Sequence, residues 1–194
     1  MKYFVGAVSV IVLLIVGYLI FIYSGLYNIS AMVHHGKLTL WMMNTVRENS
    51  IKQNADDDIK MPDLSDSSLI SMGFDHYREM CVGCHGAPGI EQSETANGLY
   101  PNPSMLTKVV NNWTPQQLFW ITKNGLKMTG MPAFGTTHTD DMIWAIIAFT
   151  KKLPEMTPEE YQKMESPSRT MEDDNHPDEN EPQTHSHSVE EHHH

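Results

Sequence analysis

The sequence predicts an all-α chain: one helix long enough to cross a membrane, then a single small helical domain and a polar tail. Three observations lead there. An almost unbroken apolar run extends from Tyr3 to Tyr23. Further on, Asp and Thr residues stand just ahead of stretches whose apolar positions repeat at helical spacing. The surroundings of the two cysteines lack the alternation of strands and helices that a layered α/β fold requires. At 194 residues the chain has room for one such domain plus appendages. The expected divisions are an anchor at 1–24, a juxtamembrane helix and linker at 25–64, the domain at 65–155 and an acidic, histidine-rich disordered tail at 156–194.

The anchor follows from length. About 20 helical residues rising roughly 1.5 Å each span the hydrocarbon layer. A cleaved secretory signal is the competing reading, but its apolar core is usually about 7 to 15 residues and ends at a small-x-small site. Tyr23-Ser24-Gly25-Leu26 offers no convincing site, so an uncleaved helix is expected. Tyr3, Tyr18, Tyr23 and Tyr27 suit the membrane interfaces. Lys2 on one side faces Lys37, Arg47, Lys52 and Lys60 on the other, so basic residues alone do not orient the span.

Between Lys37 and Lys52, Leu38, Trp41, Met42, Thr45 and Val46 fall on one helix face. Such a helix either lies among lipid headgroups or packs on the domain, and the sequence does not separate the two. His34 and His35, just before it, read as interfacial residues, with metal ligation as the alternative. Asn54 to Pro62, with Asp56, Asp57 and Asp58, reads as a solvated linker that lets the domain swing above the membrane.

The domain's first helix starts near Ser65 or Asp66 and runs through Leu69, Ile70, Met72, Phe74, Tyr77 and Met80 to Cys81-Val82-Gly83-Cys84-His85. Gly86 to Ser104, with Pro88, Gly89, Gly98, Pro101 and Pro103, reads as loop. Thr114-Pro115-Gln116-Gln117 combines a threonine cap, proline at the first helical position and a capping-box glutamine. Gly125 is that helix's natural stop. A last domain helix, Thr139 to Leu153, carries Asp140 and Asp141 in its first turn and Lys151 and Lys152 in its last, matching the helix dipole. Its wide apolar face comprises Met142, Ile143, Ile146, Ile147, Phe149 and Thr150. A short helix, Thr157 to Met164, follows with Pro158 and Glu160 in capping positions.

Cys81-x-x-Cys84-His85 is the attachment pattern of a c-type haem. Two thiols on one turn can each add across a haem vinyl group, and the adjacent imidazole then lies under the iron. The alternatives are a thioredoxin-like pair, half of a zinc site, or a simple disulfide. With only two cysteines in the chain, a zinc cluster cannot be completed by thiols. Downstream, Gly130-Met131-Pro132-Ala133-Phe134-Gly135 supplies a candidate sixth ligand: the Met131 thioether is soft and uncharged and favours reduced iron. Met128 is the rival. Most of the fourteen methionines must be gap-filling or surface residues.

With these motifs, residues from about 65 to 155 resemble a monohaem class I c-type cytochrome domain. The likeness rests on Cys-x-x-Cys-His, on Gly-Met-Pro-Ala-Phe, and on Gly73 and Tyr77 ahead of Cys81. It implies one covalent haem c, ligated by His85 and Met131, in an all-α class I cytochrome c fold whose first and last helices cross at the small residue and the aromatic. It also implies that a loop carbonyl accepts the proton of the His85 nitrogen facing away from iron, with Pro101 and Pro103 as candidates. Leu118, Phe119, Ile121 and Thr122 should cover the haem pocket. Trp113 and Trp120 are either propionate contacts or ordinary core aromatics.

The resemblance also implies haem attachment outside the cytoplasm, so the domain is expected on the periplasmic or outer side of the inner (cytoplasmic) membrane. The expected function is a membrane-tethered electron carrier, not an enzyme, passing single electrons between respiratory donor and acceptor proteins. A cytochrome subunit of a membrane oxidoreductase or oxidase complex is the alternative. Peroxidase-like chemistry on dissociation of Met131, and a copper or zinc module built on methionines and tail histidines, are lesser alternatives. No nucleic acid and no small-molecule substrate are expected. The net charge of −11 suggests steering toward a basic partner, although Lys108, Lys123 and Lys127 could form a local basic rim. The tail, with His176, His185, His187 and His192 to His194, is a solvated segment, a transient metal binder or in part a purification tag.

Overall fold

A computed structural model describes residues 1–55 and 57–166. From residue 167 on, the expected tail lies outside the described residues, and so does Asp56 of the linker. The first part of that tail, 156–166, is not disordered as expected but carries a helix packed on the domain through Tyr161. Among the described residues the protein is all-α, with one isolated bridge between Ala87 and Ile90 and no strands. Helix α1 (Lys2–Tyr23) is the one helix among them long and apolar enough to cross a membrane, and none of it is buried.

Helix α2 (Lys37–Asn54) settles one of the two readings of the juxtamembrane segment. It packs against the domain, with Ile51 only 1% exposed and Ala55 buried just past its end. Leu38, Trp41, Met42 and Val46 stay exposed on its other side. The chain ahead of α2 is also tied down. The His35 backbone N–H donates to Tyr100 Oη at 2.9 Å, and Tyr27 Oη lies 3.2 Å from His35 Nδ1. His34 and His35 both set their rings edge-on to Tyr100. The two histidines thus serve a docking contact rather than a free interfacial position.

Helix α3 (Ser67–Met80) begins where Asp66 accepts from the Ser68 N–H, a cap worth about 1 kcal/mol. It continues into a single turn, α4 (Val82–His85), which carries the cysteine motif. The segment read as loop contains a further turn of helix, α5 (Glu94–Asn97), capped by Ser93, and α6 (Leu106–Val109) follows it. Helix α7 (Pro115–Asn124) has the full Thr114 and Gln117 capping box, and α8 (Asp140–Lys152) is capped by Thr139. Helix α9 (Pro158–Glu165) has a second capping box from Thr157 and Glu160.

The frame is the crossing of α3 on α8. Gly73 makes it possible: a Cβ there would collide with the Ala145 carbonyl and stand 2.9 Å from Phe149 Cβ. Phe74, Tyr77, Phe149 and, from α9, Tyr161 form an aromatic cluster beside the crossing, with ring centroids of Phe74 and Tyr161 5.4 Å apart. A second cluster joins Phe119 and Trp144, stacked at 4.4 Å, to Val110, Leu118, Ile143 and Ile147.

Candidate haem-binding site

The two cysteines and the histidine share one turn because α3 runs on into α4. The Cys84 and His85 N–H groups both donate to the Cys81 carbonyl, at 3.1 and 2.9 Å, which sets the thiols three residues apart on one helical face. Cys81 and Cys84 are free thiols, not a disulfide. Burial pushes the Cys81 thiol up to about 12, with the Cys84 thiol adding to the effect. Gly86 ends the turn at φ 64°, ψ −177°, where a Cβ would press on the Ile90 carbonyl at 2.8 Å. The Tyr77 hydroxyl, fully buried, donates to the Gly86 carbonyl at 2.5 Å and ties the turn back to α3.

His85 Nδ1 lies 2.7 Å from the Ser104 carbonyl. A carbonyl only accepts, so Nδ1 carries the proton and Nε2 is left with its lone pair for a metal. The carbonyl is that of Ser104, which corrects the expectation of Pro101 or Pro103. Pro103 has another use: one Gln92 side-chain amide donates to the Cys84 carbonyl at 2.6 Å and to the Pro103 carbonyl at 2.7 Å. Gln92 thereby clamps the cysteine turn to the proline loop that orients His85. The His85 pKa is lowered, chiefly by burial, and the Ser104 carbonyl opposes this only in part.

The turn opens onto a cleft enclosing about 1300 Å³ of non-protein space, its open side included. Cys81, Cys84, His85 and Met131 all line it. Most of its wall is apolar, from Leu106, Val109, Leu118, Ile121, Ile146 and Ile147. Phe119 does not cover it as expected; its ring turns away to stack on Trp144. Trp113 lines the cleft and Trp120 does not.

Met131 reaches the cleft through a short hydrogen-bonded loop. Its N–H donates to Thr129 Oγ1 at 3.1 Å, that hydroxyl donates to the Leu126 carbonyl at 2.8 Å, and the Leu126 N–H donates to the Met131 carbonyl at 3.2 Å. Gly125, at φ 66° and ψ −175°, lets the loop return close to α7: a Cβ there would meet Pro132 C at 2.7 Å and Met131 O at 2.8 Å. Met128, the rival, is 78% exposed with φ 59° and does not line the cleft. Of the proposed basic rim, Lys123 is paired with Asp140 at 2.6 Å. Among the described residues no group of three or more His, Cys, Asp or Glu side chains could hold a metal ion.

The donor set fits a covalently held haem. Two thiols and an imidazole with a free lone pair face an apolar cleft, and a thioether lines the same space. A family model described as cytochrome C oxidase, cbb3-type, subunit III matches residues 68–149. No curated protein and no solved structure gives a significant match. The matched stretch spans α3 to most of α8, the elements that build the cleft. Residues 68–149 are therefore a c-type cytochrome domain, an electron-transfer module whose cofactor is covalently attached haem c.

Proposed function

We propose that this chain is a membrane-tethered electron carrier in which Cys81 and Cys84 would hold the haem through two thioethers and His85 and Met131 would hold its iron. When bound, the haem supplies a one-electron ferrous–ferric couple. The chain's own residues hold it. Ser104 and Gln92 fix the His85 ring, Thr129 orients Met131, and the apolar wall excludes water from the iron's surroundings. The observation that carries the reading is that His85 Nε2 is left free on the cleft that Met131 also lines. With His85 and Met131 both holding the iron, no open site would remain for a substrate, so electron transfer, rather than transformation of a small molecule, is the expected activity.

Helix α1 supports a single-pass anchor, with the domain on the side where haem c is attached, periplasmic or outside the cell. The cleft-building part of the domain is placed at 65–155, with α9 packed against it through Tyr161. Tethering would raise the local concentration of the carrier at membrane-bound respiratory donors and acceptors without new contacts. The family match favours one alternative, a cytochrome subunit held within an oxidase or other oxidoreductase complex.

The test is the optical and paramagnetic spectrum of the full chain matured with haem c, beside Met131→Ala and Met128→Ala. The expected result is low-spin haem with a ferric iron–sulfur charge-transfer band that Met131→Ala abolishes and Met128→Ala leaves intact. High-spin native protein that binds carbon monoxide readily would overturn it.

A further inference from the structure

Among the described residues, only one side chain with a permanent charge lines the cleft, and it comes from outside residues 68–149. Arg47 stands on α2, one turn before Ile51, and both face the cleft. The i and i+4 spacing puts them on one helix face, and Ile51, 1% exposed, fixes that face against the domain. Arg47 is half-buried and forms no salt bridge with any described carboxylate. Among the described residues, no aspartate, glutamate or lysine lines the cleft. A half-buried guanidinium facing an apolar space without a counter-charge bears a desolvation cost that an anionic group in the cleft would offset. Haem brings two carboxylates, and a cation stabilises them where they leave bulk water.

We propose that Arg47 binds the haem propionates, so that the helix following the membrane anchor completes the cofactor site. The inference rests on the electron-carrier reading. Arginine suits the task because its planar fork pairs with a carboxylate through two parallel hydrogen bonds. Asn102 and Trp113, which also line the cleft, carry neutral donors. Haem attachment would then lock α2 onto the domain, joining cofactor, domain and membrane-proximal chain into one unit. The positive charge also acts on the iron: it favours the ferrous state, which carries one positive charge fewer.

The experiment is redox titration of the full chain with haem c attached, native beside Arg47→Gln and Arg47→Lys. Covalent attachment is measured first, by mass and by the alkaline pyridine spectrum. Arg47→Gln should lower the ferrous-to-ferric ratio about tenfold at fixed ambient potential, a midpoint lower by about 59 mV, with the low-spin spectrum unchanged. Arg47→Lys, which keeps the charge and loses the fork, should return the ratio to within about threefold of native. If Arg47→Gln does not mature, Arg47→Met serves as the neutral variant. An unmoved potential in the neutral variant, or equal shifts in the neutral and Lys variants, overturns the role of Arg47 while leaving the carrier reading intact. Native protein without covalent haem overturns both.

Discussion

Gly125 is where backbone geometry and haem ligation meet, and Gly125→Ala tests both. At φ 66° and ψ −175° the residue sits in a region that is essentially glycine-only, and a side chain there costs about 1–3 kcal/mol. The new methyl would also stand 2.7 Å from Pro132 C and 2.8 Å from both Ala133 N and Met131 O. These are backbone atoms, which do not swing aside as a side chain would, so overpacking adds about 1–3 kcal/mol. Central values sum to about 4 kcal/mol. For a domain of this size that lowers Tm by roughly 15–30 °C. The neighbours that must give way are Met131, Pro132 and Ala133, so relief of the clash displaces the thioether. Urea unfolding of haem-loaded protein measures the first effect, and the iron–sulfur charge-transfer band measures the second. A variant within about 1 kcal/mol of native, with its band intact, would show that the loop is not held by the close approach at Gly125.

Two hydroxyls on aromatic rings should behave in opposite ways. Tyr77→Phe removes the donor to the Gly86 carbonyl, leaves a buried acceptor unpaired, and should lower stability by about 1–3 kcal/mol, read from the urea midpoint. Tyr161→Phe should raise stability by about 1 kcal/mol, because the fully buried Tyr161 hydroxyl has no hydrogen-bond partner among the described residues. Burial, with Glu165 in support, pushes the Tyr161 phenol up to about 12. From about pH 10 upward the unfolded chain therefore releases a proton that the folded protein keeps, and stability falls as pH rises. Tyr161→Phe should make that alkaline fall shallower, while Tyr77, also raised by burial, continues to contribute to it.

What was legible in the sequence is local chemistry. Asp66, Thr114, Thr139 and Thr157 announce their helices because a cap acts within a few residues of itself. The cysteine motif is a similarly short-range signal, whereas the crossing at Gly73 was implied only by the family resemblance. The rest depends on contacts between distant segments. No spacing rule distinguishes the Ser104 carbonyl from those of Pro101 and Pro103, since the choice depends on how Gln92 clamps the loop. Phe119 and Leu118 are neighbours on α7, yet Trp144 on α8 decides which faces the cleft. The docking of α2 was hidden most deeply: Ile51 is its one buried residue, and the larger apolar side chains of that helix are exposed. A single socketed isoleucine with an arginine one turn earlier leaves almost no periodic trace.

Helices α2 and α9 both lie beyond the ends of the recognisable cytochrome stretch, yet Ile51 and Tyr161 are among the most deeply buried side chains described. The stretch that the family model matches is accordingly shorter than the packed body to which Ile51 and Tyr161 belong. Substitutions in the two flanking helices can reset how firmly the cleft closes without touching the turn that carries the cysteines. Such a division lets the packing around the electron-handling centre be altered while the centre itself is left untouched.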